Sequence, residues 1–324
     1  MKILLNILKW TGFILLFFMI GFASFVQAGW NKTFEADLPD IHASTDSSVI
    51  KHGEYLVYGP AHCADCHVAT RDLARLERGE KIPLTGGHIF DFPIGQIVSS
   101  NLTPDPESGI GKITDAEIAR TLRHNIGHDG RGLLGLMAFQ HMSEADVVAV
   151  ISYLRSREAI KSDHKPSSWN FLGRAIWAMG MIQPEGPSEE IPKYVSPDTT
   201  ADYGKYLANS ISNCKGCHTN RDMKTGAFTS PVFSGGFVMP SELHPGRSYV
   251  TPNITPDPTT GWMRNWTEQM FIDRLHKGRV YDDSPMPWTS FKNFSDNDLK
   301  ALYRYLSTLH PIARDNGPAV IEKL

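Results

Sequence analysis

The chain has 324 residues, room for two ordinary domains, and a 41% hydrophobic, 21% charged composition that excludes a disordered or fibrous protein. With 35 acidic residues against 32 basic ones the net charge is −3, and because Lys2 and Lys9 are the only charges before residue 29, the remainder is more acidic still. That balance argues against a nucleic-acid partner.

The first element is a targeting segment. Thr11 to Val26 is an apolar run behind Lys2 and Lys9, the pattern of an export signal. Val26-Gln27-Ala28 offers a small-x-small cleavage site, yet Ile3 to Val26 is long enough to span a bilayer if Asn6 and Lys9 sit at its inner edge. The length favours a retained signal-anchor over residues 1–28, with a cleaved signal peptide as the alternative. Residues 29–48 are polar, carry neither helical nor strand period, and read as a leader or tether.

Cys63-Ala64-Asp65-Cys66-His67 and Cys214-Lys215-Gly216-Cys217-His218 follow. Two cysteines two residues apart with histidine next is the attachment signature of c-type haem. Two sulfurs must reach the two vinyl groups of one porphyrin while the adjacent imidazole swings under the iron. Each pentapeptide therefore predicts one covalently bound haem c, with Cys63, Cys66, Cys214 and Cys217 as attachment points and His67 and His218 as iron ligands. A single four-cysteine zinc site, or a redox dithiol, is the competing reading. Histidine after both pairs, with no cysteine elsewhere, weighs against it.

The chain is written twice around these motifs. Gly53 in His52-Gly53-Glu54-Tyr55-Leu56 stands ten residues before Cys63, and Gly204 in Tyr203-Gly204-Lys205-Tyr206-Leu207 ten before Cys214. Gly86-Gly87 answers Gly235-Gly236, residues 101–106 (NLTPDP) answer 253–258 (NITPDP), and Gly109 answers Gly261. Ser143 to Leu154 parallels Ser295 to Leu306, each with a serine N-cap and an acidic first turn, and predicts an amphipathic helix closing each unit. A first helix carrying Gly53 or Gly204 would let that last helix cross closely, with Tyr55 or Tyr206 and Tyr153 or Tyr305 filling the crossing. The expected domains are 49–160 and 199–312, joined by a linker over 161–198 and followed by a tail over 313–324. The linker holds an apolar insert, Trp169 to Ile182, expected between the two domains, with docking to a partner protein or the membrane interface as the sharper alternative.

The residue opposite each histidine separates electron transfer from catalysis, because Met/His ligation closes the iron and raises its potential. Met286, between Pro285 and Pro287, lies 68 residues after His218, and Met137 lies 70 after His67, so spacing selects this pair as axial ligands and leaves Met142 to pack. His88, His124, His128, His141 and His276 are the competing ligands. Arg123, Arg131 and Arg279 are either partners for haem propionates or ordinary solvated arginines.

The doubled CxxCH, the two Asn-x-Thr-Pro-Asp-Pro segments and Met286-Pro287-Trp288 before residues 295–299 (SDNDL) make residues 49–312 resemble the class I cytochrome c modules of multihaem periplasmic subunits. The resemblance is to the cytochrome c subunits of membrane-bound alcohol and gluconate dehydrogenases, and the anchor-like start is similar to that of membrane-tethered dihaem cytochromes. It implies an all-α fold of two tandem class I cytochrome c domains, each around one covalently bound haem. It also implies a location on the periplasmic side of the bacterial inner membrane, or in the soluble periplasm if the signal is cleaved. The function expected is electron transfer from a dehydrogenase donor to a downstream cytochrome or oxidase, with no catalytic residues of its own. The competing class is a dihaem, peroxidase-like enzyme with its open site at the first haem, where Met137 would be absent from the iron.

Overall fold

The apolar run of the first 28 residues forms helix α1 (Lys2–Gly29), which in the computed structural model is the single helix among the described residues long and apolar enough to cross a membrane. The structure describes residues 1–223, 225–241 and 243–322; Lys323 and Leu324, the end of the expected tail, lie outside them.

Each repeat then lays down a shared framework with its own additions. In the first, α2 (Ser47–Tyr58) is capped by Asp46, α3 (Cys63–His67) is the motif itself, and α4 (Leu73–Glu77) follows. Strands β1 (Ile89–Phe92) and β2 (Gly95–Val98) precede α5 (Asp115–His124), which opens on a capping box between Thr114 and Glu117, and α6 (Glu144–Arg155). Strand β3 (Ser168–Trp169) and α7 (Phe171–Ala178) occupy the linker. The second repeat comprises α8 (Ala201–Tyr206), prolonged by a π-helical turn over Leu207–Ile211, α9 (Cys214–Cys217), β4 (Val238–Pro240) and β5 (Arg247–Val250). It ends with α10 (Glu268–His276), α11 (Trp288–Phe291), α12 (Asp296–Thr308) and β6 (Val320–Glu322). Both closing helices start at the expected serines: Ser143 accepts the Asp146 N–H and Ser295 the Asp298 N–H, each at 3.1 Å.

The expected helix crossing is present in both repeats. A Cβ built on Gly53 would overlap the Ala149 carbonyl oxygen of α6, and one built on Gly204 the Ala301 carbonyl oxygen of α12. Glycine is required there because backbone meets backbone. Tyr153 and Tyr305 pack beside these contacts, but Tyr55 and Tyr206 do not fill their own crossings. A residue two positions past a helical glycine points about 200° away from it. Tyr55 accordingly reaches the other repeat, donating to the Asp298 carboxylate and accepting the Ser295 N–H at 2.9 Å; Tyr206 donates to Asp146 and accepts the Ser143 N–H at 2.8 Å. These reciprocal contacts tie the start of each repeat to the closing helix of its sibling. The apolar core is likewise continuous through both repeats, with Val57, Ile151, Leu207, Ile211 and Leu299 fully buried and Leu56 nearly so. Burial of each such side chain stabilises by roughly 1.5–3 kcal/mol.

The protein is helix-rich but not all-α. Two three-stranded antiparallel sheets, β1-β2-β3 and β4-β5-β6, flank the helices. The alternation Ile89-Phe90-Asp91-Phe92, then Gln96-Ile97-Val98 after a two-residue turn, pairs Phe92 with Gly95 and Ile89 with Val98. It is a hairpin pattern that a purely helical reading passes over. The third strand comes in each case from the segment after the closing helix, so the expected linker and tail each complete a repeat's sheet. The leader is no free tether either: Phe34, Ala43 and Ser44 donate their N–H groups to Gly130 O at 2.8 Å, to Asp115 at 2.7 Å and to Ser152 at 2.7 Å, and Ile41 is buried. Helix α7 does not sit between the repeats. It packs against the end of α1, with Phe22 and Phe171 ring centroids 6.1 Å apart.

Candidate haem sites

The residue before each motif, His62 or Asn213, takes a left-handed conformation at φ 42° or 51°, which turns the chain abruptly into the helical CxxCH. Few residue types accept that conformation, His and Asn among them. The four cysteines are in no disulfide. Among the described residues the one group with three or more ligand atoms within 4.8 Å is His244, Asp282 and Asp283, so the motifs do not form the alternative zinc site. Burial pushes the Cys63 and Cys214 thiols up to about 12, the opposite of an activated dithiol.

The histidines are positioned identically. His67 Nδ1 is 2.8 Å from the Ser100 carbonyl oxygen, and His218 Nδ1 is 3.1 Å from that of Pro252. Each acceptor immediately precedes the repeated asparagine, and this explains the doubled Asn-x-Thr-Pro-Asp-Pro. Asn101 donates to Ile160 O at 2.8 Å and its Oδ1 accepts the Thr103 N–H at 2.9 Å; Asn253 does the same with Ile312 O at 2.7 Å and Thr255 at 3.0 Å. The asparagine clips the chain beyond the closing helix and so fixes the carbonyl that orients the imidazole. With Nδ1 held, Nε2 is the nitrogen left for a metal, the arrangement that sets tautomer and orientation in a metal-ligating histidine. Burial lowers both histidine pKa values, favouring the neutral, ligating form. On the opposite edge, Gly86 and Gly235 donate to the carbonyls of His67 and His218, both at 2.8 Å and both with positive φ.

Met137 and Met286 are half-buried and packed against the core, whereas Met142 is 1% exposed and fully within it. Their loops differ. Met286 is followed directly by α11, the Trp288 N–H bonds its carbonyl at 2.7 Å, and Trp288 Nε1 bonds Ser284 Oγ at 3.2 Å while Arg274 stacks 3.9 Å over the indole. Met137 has no such helix after it, and Gln140 Nε2 approaches its carbonyl at 3.5 Å. Three of the five competing histidines are otherwise engaged: His276 bonds Lys292 O and Asp296, His141 bonds Ser188, and His88 packs on Phe90. Of the arginines, Arg131 pairs with Asp129 and Arg279 with Glu77, while Arg123 is buried and donates to the Gln140 and Met142 carbonyls.

Sequence reasoning missed how the first motif meets the second repeat. His62, held near pKa 4 by burial, lies with its ring against Phe139 and Phe291, and Asp65, raised to about 6 by burial, accepts from Ser290. The segments leading into the two motifs also touch, Ser212 Oγ donating to Pro60 O at 3.0 Å. The second repeat has Asn213 and Gly216 at these two positions, so the repeat comparison carried no signal for the side chains of His62 and Asp65.

A doubled His–carbonyl pair behind doubled CxxCH, on a framework of crossing helices, fits covalently attached haem, and the relatives of the chain are of that class. The cytochrome c subunit of a quinone alcohol dehydrogenase from Gluconacetobacter polyoxogenes is 31% identical over 303 residues, 87% of this chain and 59% of its own length. The fructose dehydrogenase cytochrome subunit of Gluconobacter japonicus is 29% identical over 86% of this chain and 56% of its own. A dihaem c-type cytochrome of Cereibacter sphaeroides is 27% identical over 62% of this chain and 65% of its own. The chain is a homologue of the cytochrome c subunits of alcohol, fructose and gluconate dehydrogenases. It spans less than two thirds of the length of these relatives. No family model matches the chain.

Proposed function

We propose that the chain is a dihaem c-type cytochrome passing electrons from a periplasmic or membrane-bound dehydrogenase to a downstream respiratory carrier or oxidase. It would be held by α1 at the periplasmic face of the inner membrane, with residues 49–160 and 199–312 as the two cytochrome units. Haem iron, when bound, supplies the one-electron couple. The residues do the rest. Cys63 with Cys66 and Cys214 with Cys217 tether the two groups, and His67 and His218 present Nε2 because Ser100 and Pro252 hold Nδ1. Met137 and Met286 are the proposed opposing ligands. The Ser212–Pro60 contact and the reciprocal Tyr–Asp pairs tie the two repeats to one another, which suits exchange between the motifs.

The observation that carries this reading is the repetition of the histidine–carbonyl geometry in both halves of a chain whose relatives are dehydrogenase cytochromes. The test is intact mass after acid–acetone extraction, with visible spectra of the reduced protein under carbon monoxide. Two retained haems and an unchanged spectrum are expected. One haem refutes one half of the assignment, and carbon monoxide binding at the first haem favours the peroxidase-like enzyme.

A further inference from the structure

The apolar insert that sequence placed between the repeats lies instead beside the membrane-length helix. Trp10 and Trp30 are twenty residues apart on and just beyond α1, about 30 Å along the axis, the thickness of a hydrocarbon core flanked by interfacial tryptophans. Helix α7 packs on the last two turns of α1: Gly29 approaches Ala178, and Phe171 meets Phe22, which lies about 10 Å below Gly29 along the helix. Between residues 171 and 181 the exposed side chains are all apolar, Phe171 (56%), Leu172 (54%), Met179 (49%) and Met181 (57%), with the exposed polar Asn170 and Gln183 on either side. The one charge on α7, Arg174, turns from that face, its guanidinium 4.8 Å over the Trp30 ring and its Nη1 3.4 Å from Gln27 Oε1, while Lys32 bonds Ala178 O at 3.0 Å. Both cations thus stand at the level of Trp30, where lipid head groups would be, with Met179 and Met181 just beyond Ala178 at that same level and Phe171 and Leu172 deeper.

We propose that the exposed face of α7 is a lipid-contacting collar, immersed in the outer interface of the bilayer beside α1. The occupant follows from depth. A water-borne partner would have to enter the bilayer to meet Phe171 at the level of Phe22, whereas a short apolar helix lying about 5–10 Å into the interface is a known mode of membrane contact. The collar also orients the haem-bearing body. Asn170 donates to Ile94 O at 3.2 Å, β3 pairs with β2, and β2 leads directly into Ser99 and the Ser100 carbonyl that holds His67. The first CxxCH site is therefore joined to α7 through two paired strands, β3 and β2.

The inference rests on α1 being a retained span, and the test separates the two. With the four native cysteines bound in thioethers, Phe171→Cys or Leu172→Cys supplies a single free thiol. The full-length haem-loaded protein is placed at one copy per phosphatidylcholine–phosphatidylglycerol nanodisc and treated with a membrane-impermeant maleimide. Val280→Cys (55% exposed) and Met223→Cys (74% exposed), on the second repeat, are the references. A thiol held in lipid is not ionised, so positions 171 and 172 should react about tenfold or more slowly than the references. One copy per disc removes self-association as the cause. Rates within about threefold of the references, in protein that stays with the disc, overturn the collar and leave the anchor standing. Protein that leaves the lipid altogether overturns the anchor and the collar with it.

Discussion

The two repeats share their inner machinery and differ at their outer sheets. Crossing glycine, histidine–carbonyl pair, asparagine clip and serine-capped closing helix coincide. Outside them, the third strand of the first sheet runs into the apolar α7, whereas that of the second carries Glu322 against Arg247, with His244 and Asp282 alongside. Parts that must hold the same cofactor are constrained by its chemistry; edges that meet different surroundings are free to diverge. The loop bearing the proposed axial methionine also differs, braced by α11 and the stacked Trp288 in the second repeat and by neither in the first.

The largest effects should come where the repeats coincide. Gly53→Ala and Gly204→Ala each drive a methyl into a carbonyl of the crossing helix, and each should cost about 3 kcal/mol, measured by urea denaturation of the haem-loaded protein. A marked difference between them would show that the crossings are not equivalent.

The methionine loops come next and should sharpen the difference. Met286→Ala should abolish the sulfur-to-iron near-infrared band of the second haem and lower its potential while the haem stays covalently bound; Met137→Ala should do so for the first. Met142→Ala should leave both bands and lower stability. If Met142→Ala removes the first band and Met137→Ala does not, the equal-spacing assignment is wrong for the first repeat.

Smaller effects should come from the reciprocal tyrosines. Tyr55→Phe and Tyr206→Phe each leave a carboxylate without its phenol, at a cost of about 1–3 kcal/mol. Asp146 keeps His52 Nε2 at 2.6 Å, whereas Asp298 is 5% exposed and loses its principal partner, so Tyr55→Phe should be the more damaging in thermal denaturation. The smallest effect is at the Asn-x-Thr-Pro-Asp-Pro turn. Asp257 is held at about 2 by the Thr260 and Thr259 donors, below the ordinary carboxylate range. Its stabilisation is complete above that range and is lost as pH falls toward 2. Asp257→Asn should flatten the acid side of the stability–pH profile over that window.

Much of this was written in the one-dimensional chain. The CxxCH motifs, the serine caps and the glycine register depend on spacings of a few residues, and local sequence determines such features through helix geometry and chemical reach. Even the asparagine clips and the Phe/Ile hairpin left a legible pattern, repeated in one case and alternating in the other. What only the tertiary structure decided was pairing across distance. Tyr55 finds Asp298 and Tyr206 finds Asp146 because each tyrosine faces away from its own crossing; α7 settles on α1, and the linker and tail become strands. No periodicity encodes these choices, since an apolar face or a spare hydroxyl specifies only that it must be matched. Which surface matches it is settled when the whole chain has closed.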